Sequence, residues 1–395
     1  MEEIFRLPIW AWGMFAIGAC IGSYLNVVIY RWPREGMSVT TPSRSFCPGC
    51  RVEIPWYRNI PLFTWLVQRG KCASCEARIS IRYPFVELVT AVLFLGGWIV
   101  FVVDRPPASP VAALLVAALG VLLVAIAWID ADLMVVPVDF CWWGMGIGVV
   151  GVCIDPTLVT LAGMPDSIRW WEGGARAVAG IAAGWGGLSL VVYLGKKLMG
   201  IKRLQFPDAA EWHLREPESE AEQLSFVIKS SQGDPREGGH TDDIYPWGDL
   251  FFRDYDRLEI EGHGLCIDGK PVKAKTLVIS RETVEAGGKT YSIEELKSLS
   301  GKATKVAVPR EAMGDGDPPL LGLIGAFIGW QGVAFSLFGA CIFAILWALP
   351  ARVGFGRQLP FGPFLALGGA AWIFGGWSLW EWYFGSLIHL GPVGR

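Results

Sequence analysis

Charge is scarce in this chain. Charged side chains make up 18% of the 395 residues, against roughly 25% in soluble domains, and they gather in two blocks. Histidine is rarer still, with 4 in all, and His213, His240 and His263 are too scattered to be read as metal ligands. The start, Met1-Glu2-Glu3-Ile4-Phe5-Arg6, lacks the basic run of a cleavable signal, so the first apolar segment is expected to remain as an anchor. The same acidic start argues against Ile17-Gly18-Ala19-Cys20 as a lipoprotein cleavage box. The net charge of −3 says little, and no nucleic-acid reading is supported.

What the chain has instead is apolar length: 52% hydrophobic residues, 20 Trp and 49 Gly, with a mean hydropathy of +0.40. Runs of ~20 apolar residues recur, the length that crosses a hydrocarbon core. They cover Ile9–Tyr30, Tyr83–Val103, Pro110–Ile129, Pro137–Ile154, Gly173–Gly195 and Phe361–Phe384. Pro318–Leu349 adds 32 residues without a charge. As one helix it would be ~48 Å long against a ~30 Å core, so two short helices turning near Gly329–Gly332 are expected. Between the first two spans, Arg31–Arg82 holds nine basic residues against Glu35, Glu53 and Glu76, an excess that places this loop in the cytoplasm. Lys196, Lys197, Lys202 and Arg203 mark a second cytoplasmic flank, and Arg352 and Arg357 a third. The count is eight spans with both termini outside.

The expected fold is therefore an all-α polytopic membrane protein of about eight transmembrane helices, with two cytoplasmic additions. Its segments are 1–30 (first span), 31–82 (cysteine loop), 83–200 (spans two to five), 201–312 (soluble insert) and 313–395 (spans six to eight). The insert reads as a small β-rich domain. Two hairpins turn at Asp268-Gly269 and Gly287-Gly288, and a short helix follows near Glu294–Leu299. It carries no catalytic pattern.

Two features carry chemistry. Cys47-Pro48-Gly49-Cys50 and Cys72-Ala73-Ser74-Cys75 are CxxC knuckles separated by 21 residues, a spacing that builds a four-thiolate tetrahedral site. In the reducing cytoplasm these cysteines favour zinc over disulfides. Four protein ligands leave no open position, so the zinc is expected to be structural and to stabilise a loop too polar to fold alone. Cys20, Cys141, Cys153 and Cys341 sit in apolar runs as small packing residues, and Cys266 reads as a buried thiol.

The second feature is a pair of aspartates. Asp130 closes the third span, and Asp317 opens the sixth at the end of Gly314-Asp315-Gly316-Asp317, on the same membrane face. Charges at such depth are costly and usually functional. Two close carboxylates share one proton, so one member can deprotonate a water while the other polarises an amide carbonyl. Asp132 and Asp315 each lie two residues from this pair, and Asp139 lies nearby. In a helix a two-residue offset turns the side chain away; in extended chain it does not.

These residues resemble the bacterial type IV prepilin peptidases, the membrane GxGD-type aspartic peptidases that process pilins and type II secretion pseudopilins. Gly22–Arg31, the two knuckles, Arg82–Leu88 and Pro360–Pro363 are similar to the family's signatures and follow in its order; Asp130 precedes Pro137 by the family's seven residues. The resemblance implies cleavage of a prepilin leader at the cytoplasmic face of the bacterial inner membrane, with Asp130 and Asp317 catalytic. For many members it also implies methylation of the new amino terminus from S-adenosylmethionine. Two departures stand out: Pro319 occupies the lysine position of GxGDxK, and the insert is longer than in compact members, a candidate surface for a protein partner. Paired carboxylates would also suit a transporter relaying protons or cations, but the inverted repeats that mark such proteins are not found. A non-enzymatic assembly scaffold is the third reading.

Overall fold

The computed structural model describes residues 2–34, 36–41, 44–47, 49–104, 107–161, 169–199, 201–217, 224–229, 242–251, 256–309, 314–350 and 359–385. The expected return at Arg352 and Arg357, His240 and Pro48 lie outside these. The chain divides into two compact units, Met1–Leu190 with Gly314–Arg395, and Val191–Met313.

The first unit is helical. Among the described residues five helices are long and apolar enough to cross a membrane: α1 (Pro8–Arg31), α2 (Arg82–Val103), α3 (Pro110–Leu133), α5 (Trp170–Gly195) and α6 (Asp317–Ala348). A shorter apolar helix, α4 (Val138–Ile154), follows α3. The last, α7 (Gly362–Ala371), is followed by a kink at Phe374 and Gly375, where the backbone is non-helical, and by further turns to Gly385. Proline opens α1, α3, α6 and α7 within the first turn, where a missing N–H costs nothing. Apolar packing of Leu25 and Ile29 of α1, Val86 of α2 and Val124, Ala125 and Ile129 of α3 joins the first three helices.

Helix α6 is not straight. Gly329 sits at φ 72°, ψ −179°, outside any helical conformation and open to glycine alone without strain. In a continuous helix Gly325 and Val333 would stand ~12 Å apart. Here a Val333 methyl lies 2.8 Å from where a Cβ on Gly325 would be, so the chain folds back on itself. Contacts to α7 agree: Gly369 meets Ile324 while neighbouring Gly368 meets Ser336, placing both limbs on one turn of α7. The second limb runs antiparallel to α7, with Phe335 on Trp372 and Trp330 on Trp380. The first limb is therefore parallel to it.

The second unit is the expected β-rich insert, so the all-α description holds for the helical unit alone. Its described residues form one antiparallel sheet of nine strands: β1 (Ile201–Arg215), β2 (Ser225–Lys229), β3 (Asp242–Pro246), β4 (Leu258–Ile267), β5 (Lys270–Pro271), β6 (Thr276–Ile279), β7 (Thr283–Ala286), β8 (Lys289–Ser292) and β9 (Leu299–Pro309). Their order is β3-β2-β1-β9-β4-β6-β7-β8, with β5 paired to β4. Alternation drives it: Leu258 and Ile260 are buried between exposed glutamates, and they join Phe226, Ile279, Val284 and Val306 in one core. Both expected hairpins are present, pairing Ile267 with Lys270 and Ala286 with Lys289. The helix expected near Glu294–Leu299 is a single tight turn, Ile293–Glu295, and Leu299 begins β9 instead. Pro207 falls where the β1–β9 register slips between Gln205 and Ala210, the position where a missing donor does least harm.

Candidate active site

Asp130 lies in the last turn of α3, which runs on to Leu133 and ends at Met134 in a left-handed cap whose N–H bonds the Asp130 carbonyl at 2.8 Å. Its side chain is buried, and one carboxylate oxygen, Oδ2, accepts the backbone N–H of Gly362 at 2.9 Å. Gly362 is the first residue of α7, where N–H groups have no partner inside the helix and the helix end carries partial positive charge. Glycine is required there by contact: a Cβ would stand 2.6 Å from that same Oδ2.

Because α3 stays helical past Asp130, Asp132 is turned away from it. Asp132 is half-exposed and pairs with Arg82 at 2.6 Å; the Arg82 guanidinium lies over the Trp128 ring, 4.7 Å from its centroid. Asp139 and Asp315 are exposed. Asp317, the first residue of α6, is buried. Gly314 lies beside its carboxylate, and Gly316 packs against Val136, in the connector that follows Asp130. The two aspartate-bearing segments therefore touch. Their levels also match: Ile324 meets Gly369, and two turns back along the two parallel helices stand Asp317 and Gly362, the latter bonded to Asp130.

The cysteine loop is a second centre. The sulfurs of Cys47, Cys50, Cys72 and Cys75 all lie within 4.8 Å of one another, and those of Cys47 and Cys75 are 3.8 Å apart. A tetrahedral zinc with bonds of ~2.3 Å demands sulfur–sulfur edges of about 3.8 Å, so the donor set fits such a metal. Both knuckles are built alike. The residue after each, Arg51 or Glu76, adopts positive φ and returns its N–H to the carbonyl of the first cysteine. The backbone N–H of Ser74, then that of Cys75, bond the Cys72 sulfur and lower its thiol to about 6. At Cys75 the Ala77 N–H favours the thiolate, but desolvation and the neighbouring thiols outweigh it and push the group up to about 12.

Two buried polar side chains of the helices, Arg31 and Glu87, fasten this loop, and a third, Asn26, ties α1 to the start of α2; sequence reasoning did not single them out. Asn26 donates to the Tyr83 carbonyl at 3.1 Å. Arg31 donates to the carbonyls of Ser38, Val39 and Arg44. Glu87 accepts the Leu62 N–H at 2.7 Å. The available signal was a carboxylate inside the apolar run of α2.

Known proteins resemble parts of this chain. Residues 16–101, from the middle of α1 to the end of α2, match the family described as Bacterial Peptidase A24 N-terminal domain. A prepilin leader peptidase/N-methyltransferase of Klebsiella pneumoniae is 33% identical over 226 residues, which span 53% of this chain and 88% of that protein. The chain belongs to this family. A prepilin leader peptidase/N-methyltransferase of Myxococcus xanthus is 37% identical over 196 residues, 48% of this chain and 50% of its own. One from Neisseria gonorrhoeae is 45% identical over 105 residues, 21% of this chain and 37% of its own. The chain thus spans half the length or less of these last two family members. No solved structure matches it.

Proposed function

We propose that the chain is a membrane aspartic endopeptidase that removes the leader of type IV prepilins or type II secretion pseudopilins. The observation that supports this most is the juxtaposition of the two buried-aspartate segments through Gly362 and through the Gly316–Val136 contact, in a chain of this family. Asp130 and Asp317 are the catalytic pair. The Gly362 N–H fixes Oδ2 of Asp130 and leaves its other oxygen to take a proton from water, while protonated Asp317 donates to the scissile carbonyl. The roles reverse as the amine leaves, so no covalent intermediate forms. The relay-transporter reading gains no support from relatives that carry peptidase names.

In the topology we propose, the two limbs of α6 are separate crossings, giving eight in all. Both termini are outside; the cysteine loop, 31–82, and the insert, 201–312, are cytoplasmic, in the bacterial inner membrane. Cys47, Cys50, Cys72 and Cys75 hold a structural zinc that fixes the loop's shape. Methylation of the new amino terminus draws on S-adenosylmethionine, and the insert offers a partner surface. Mass spectrometry of a co-expressed prepilin tests the reading. Wild type should yield the shortened pilin, methylated at its new amino terminus. Asp130→Asn and Asp317→Asn should each leave the leader attached while inserting normally, and processing by either variant refutes the assignment.

A further inference from the structure

The cysteine loop has a face that its own fold does not cover. Between Trp56 and Val67 six large apolar side chains point away from the protein: Trp56, Tyr57, Ile60, Phe63, Leu66 and Val67. Trp56 is 81%, Phe63 61% and Leu66 66% exposed, more than Val92 of the spanning helix α2 at 51%. For a loop in water this is anomalous, since soluble surfaces seldom gather so much apolar area in one short stretch.

The depth of the stretch resolves the anomaly. Leu62 is tied by its N–H to Glu87, and Glu87 lies five residues into α2, ~7.5 Å along the axis from Arg82 at its mouth. Amphipathic elements that lie on a bilayer sink ~5–10 Å into the boundary between headgroups and acyl chains. The tether therefore holds this stretch beside α2 at interfacial depth. Trp65 locks its inner side by donating to the Ile79 carbonyl at 3.1 Å. Composition agrees with the placement. From Ile54 to Lys71 there is no acidic residue; the exposed cation Arg58 lies within the apolar stretch, and the exposed Arg69 and Lys71 follow it. Tryptophan and tyrosine suit the headgroup level, and cations attract anionic headgroups.

We propose that residues 56–67 are an interfacial lipid-binding element: their apolar side chains lie among acyl chains, and Arg58, Arg69 and Lys71 meet anionic headgroups. The loop is then anchored at both faces, to helices α1 and α2 through Arg31 and Glu87, and to the bilayer through this stretch. The partner is lipid rather than a protein, because the exposed apolar side chains are held at interfacial depth, with cations and no carboxylate among them.

The test places the photoreactive residue p-benzoylphenylalanine singly at Phe63 and at Leu66 of the full-length protein, reconstituted in an equal mixture of phosphatidylethanolamine and phosphatidylglycerol. Val92 serves as the lipid-facing reference and Ala73 as the aqueous one. Two probe sites keep the result independent of one poorly folded variant, and the readout does not require peptidase activity. After illumination, lipid adducts at 63 and 66 should come within about twofold of those at 92 and exceed those at 73 by on the order of tenfold, as burial at the acyl boundary demands. Yields at the level of Ala73 overturn the proposal. So does preferential crosslinking to an added prepilin, which would make this face a substrate groove.

Discussion

Replacing Gly362 by alanine isolates the contact on which the site turns. The new Cβ would stand 2.6 Å from Oδ2 of Asp130, 3.2 Å from its Cγ and 3.4 Å from its Cβ. The first distance is shorter than an ordinary van der Waals contact by roughly 0.7 Å or more. If the carboxylate retreats by that much, the 2.9 Å hydrogen bond from the Gly362 N–H opens to ~3.6 Å and is lost. A hydrogen bond to a charged group is worth ~1.5–3 kcal/mol, and a reacting group displaced by ~1 Å costs about 10²-fold in rate. The two routes agree, since 10²-fold corresponds to ~2.7 kcal/mol. Gly362→Ala should therefore lower kcat for cleavage of a purified prepilin by about 100-fold. The fold should survive, because residue 362 opens a helix in ordinary backbone conformation and alanine favours helix over glycine by up to ~1 kcal/mol. Gly146→Ala is the control; nothing lies within 4 Å of its Cβ position, and its rate should match wild type. A Gly362→Ala protein that melts normally and cleaves at full rate would remove this contact, and with it the argument for Asp130, from the mechanism.

Asp132→Asn should retain most of the cleavage that Asp130→Asn abolishes, because the helix points Asp132 at Arg82 on the outer surface. Its loss should cost only ~0.2–1 kcal/mol in a thermal or denaturant melt, as for other half-exposed ion pairs. Purified protein should carry one zinc per chain by elemental analysis, and Cys47→Ser or Cys72→Ser should lose it and open the stretch between the knuckles to limited proteolysis. Full metal content in either variant would refute the four-sulfur site.

What the sequence revealed and what it hid divide along a physical line. Length gave the fold-back at Gly329, because no single helix of that extent matches a bilayer. Spacing gave the sulfur cluster, because two knuckles need only meet. The preference for Asp130 over Asp132 rests on a helical offset between them, and α3 is helical through Leu133; periodicity near a helix end does not itself say where the helix stops. The β character of the insert and both hairpins were legible, but the long-range pairing of the sheet was not. β1 has a mixed burial pattern and a mid-strand proline, and its ladder is completed by β9, about a hundred residues on. Pairing over such separations leaves little local signature. The tethers at Asn26, Arg31 and Glu87 were hidden for the same reason: their partners are backbone groups, which every residue possesses.

The ladder between β1 and β9 begins where the inserted sheet begins and finishes where it finishes, with Ile201 directly opposite Pro309. The polypeptide thus enters and leaves this sheet through a single doorway ~5 Å wide. Such a module can be enlarged, exchanged or cut out with only a few residues needed to close the gap. Its size is accordingly free to vary among relatives without disturbing the aspartate-bearing helices on either side of it in the chain.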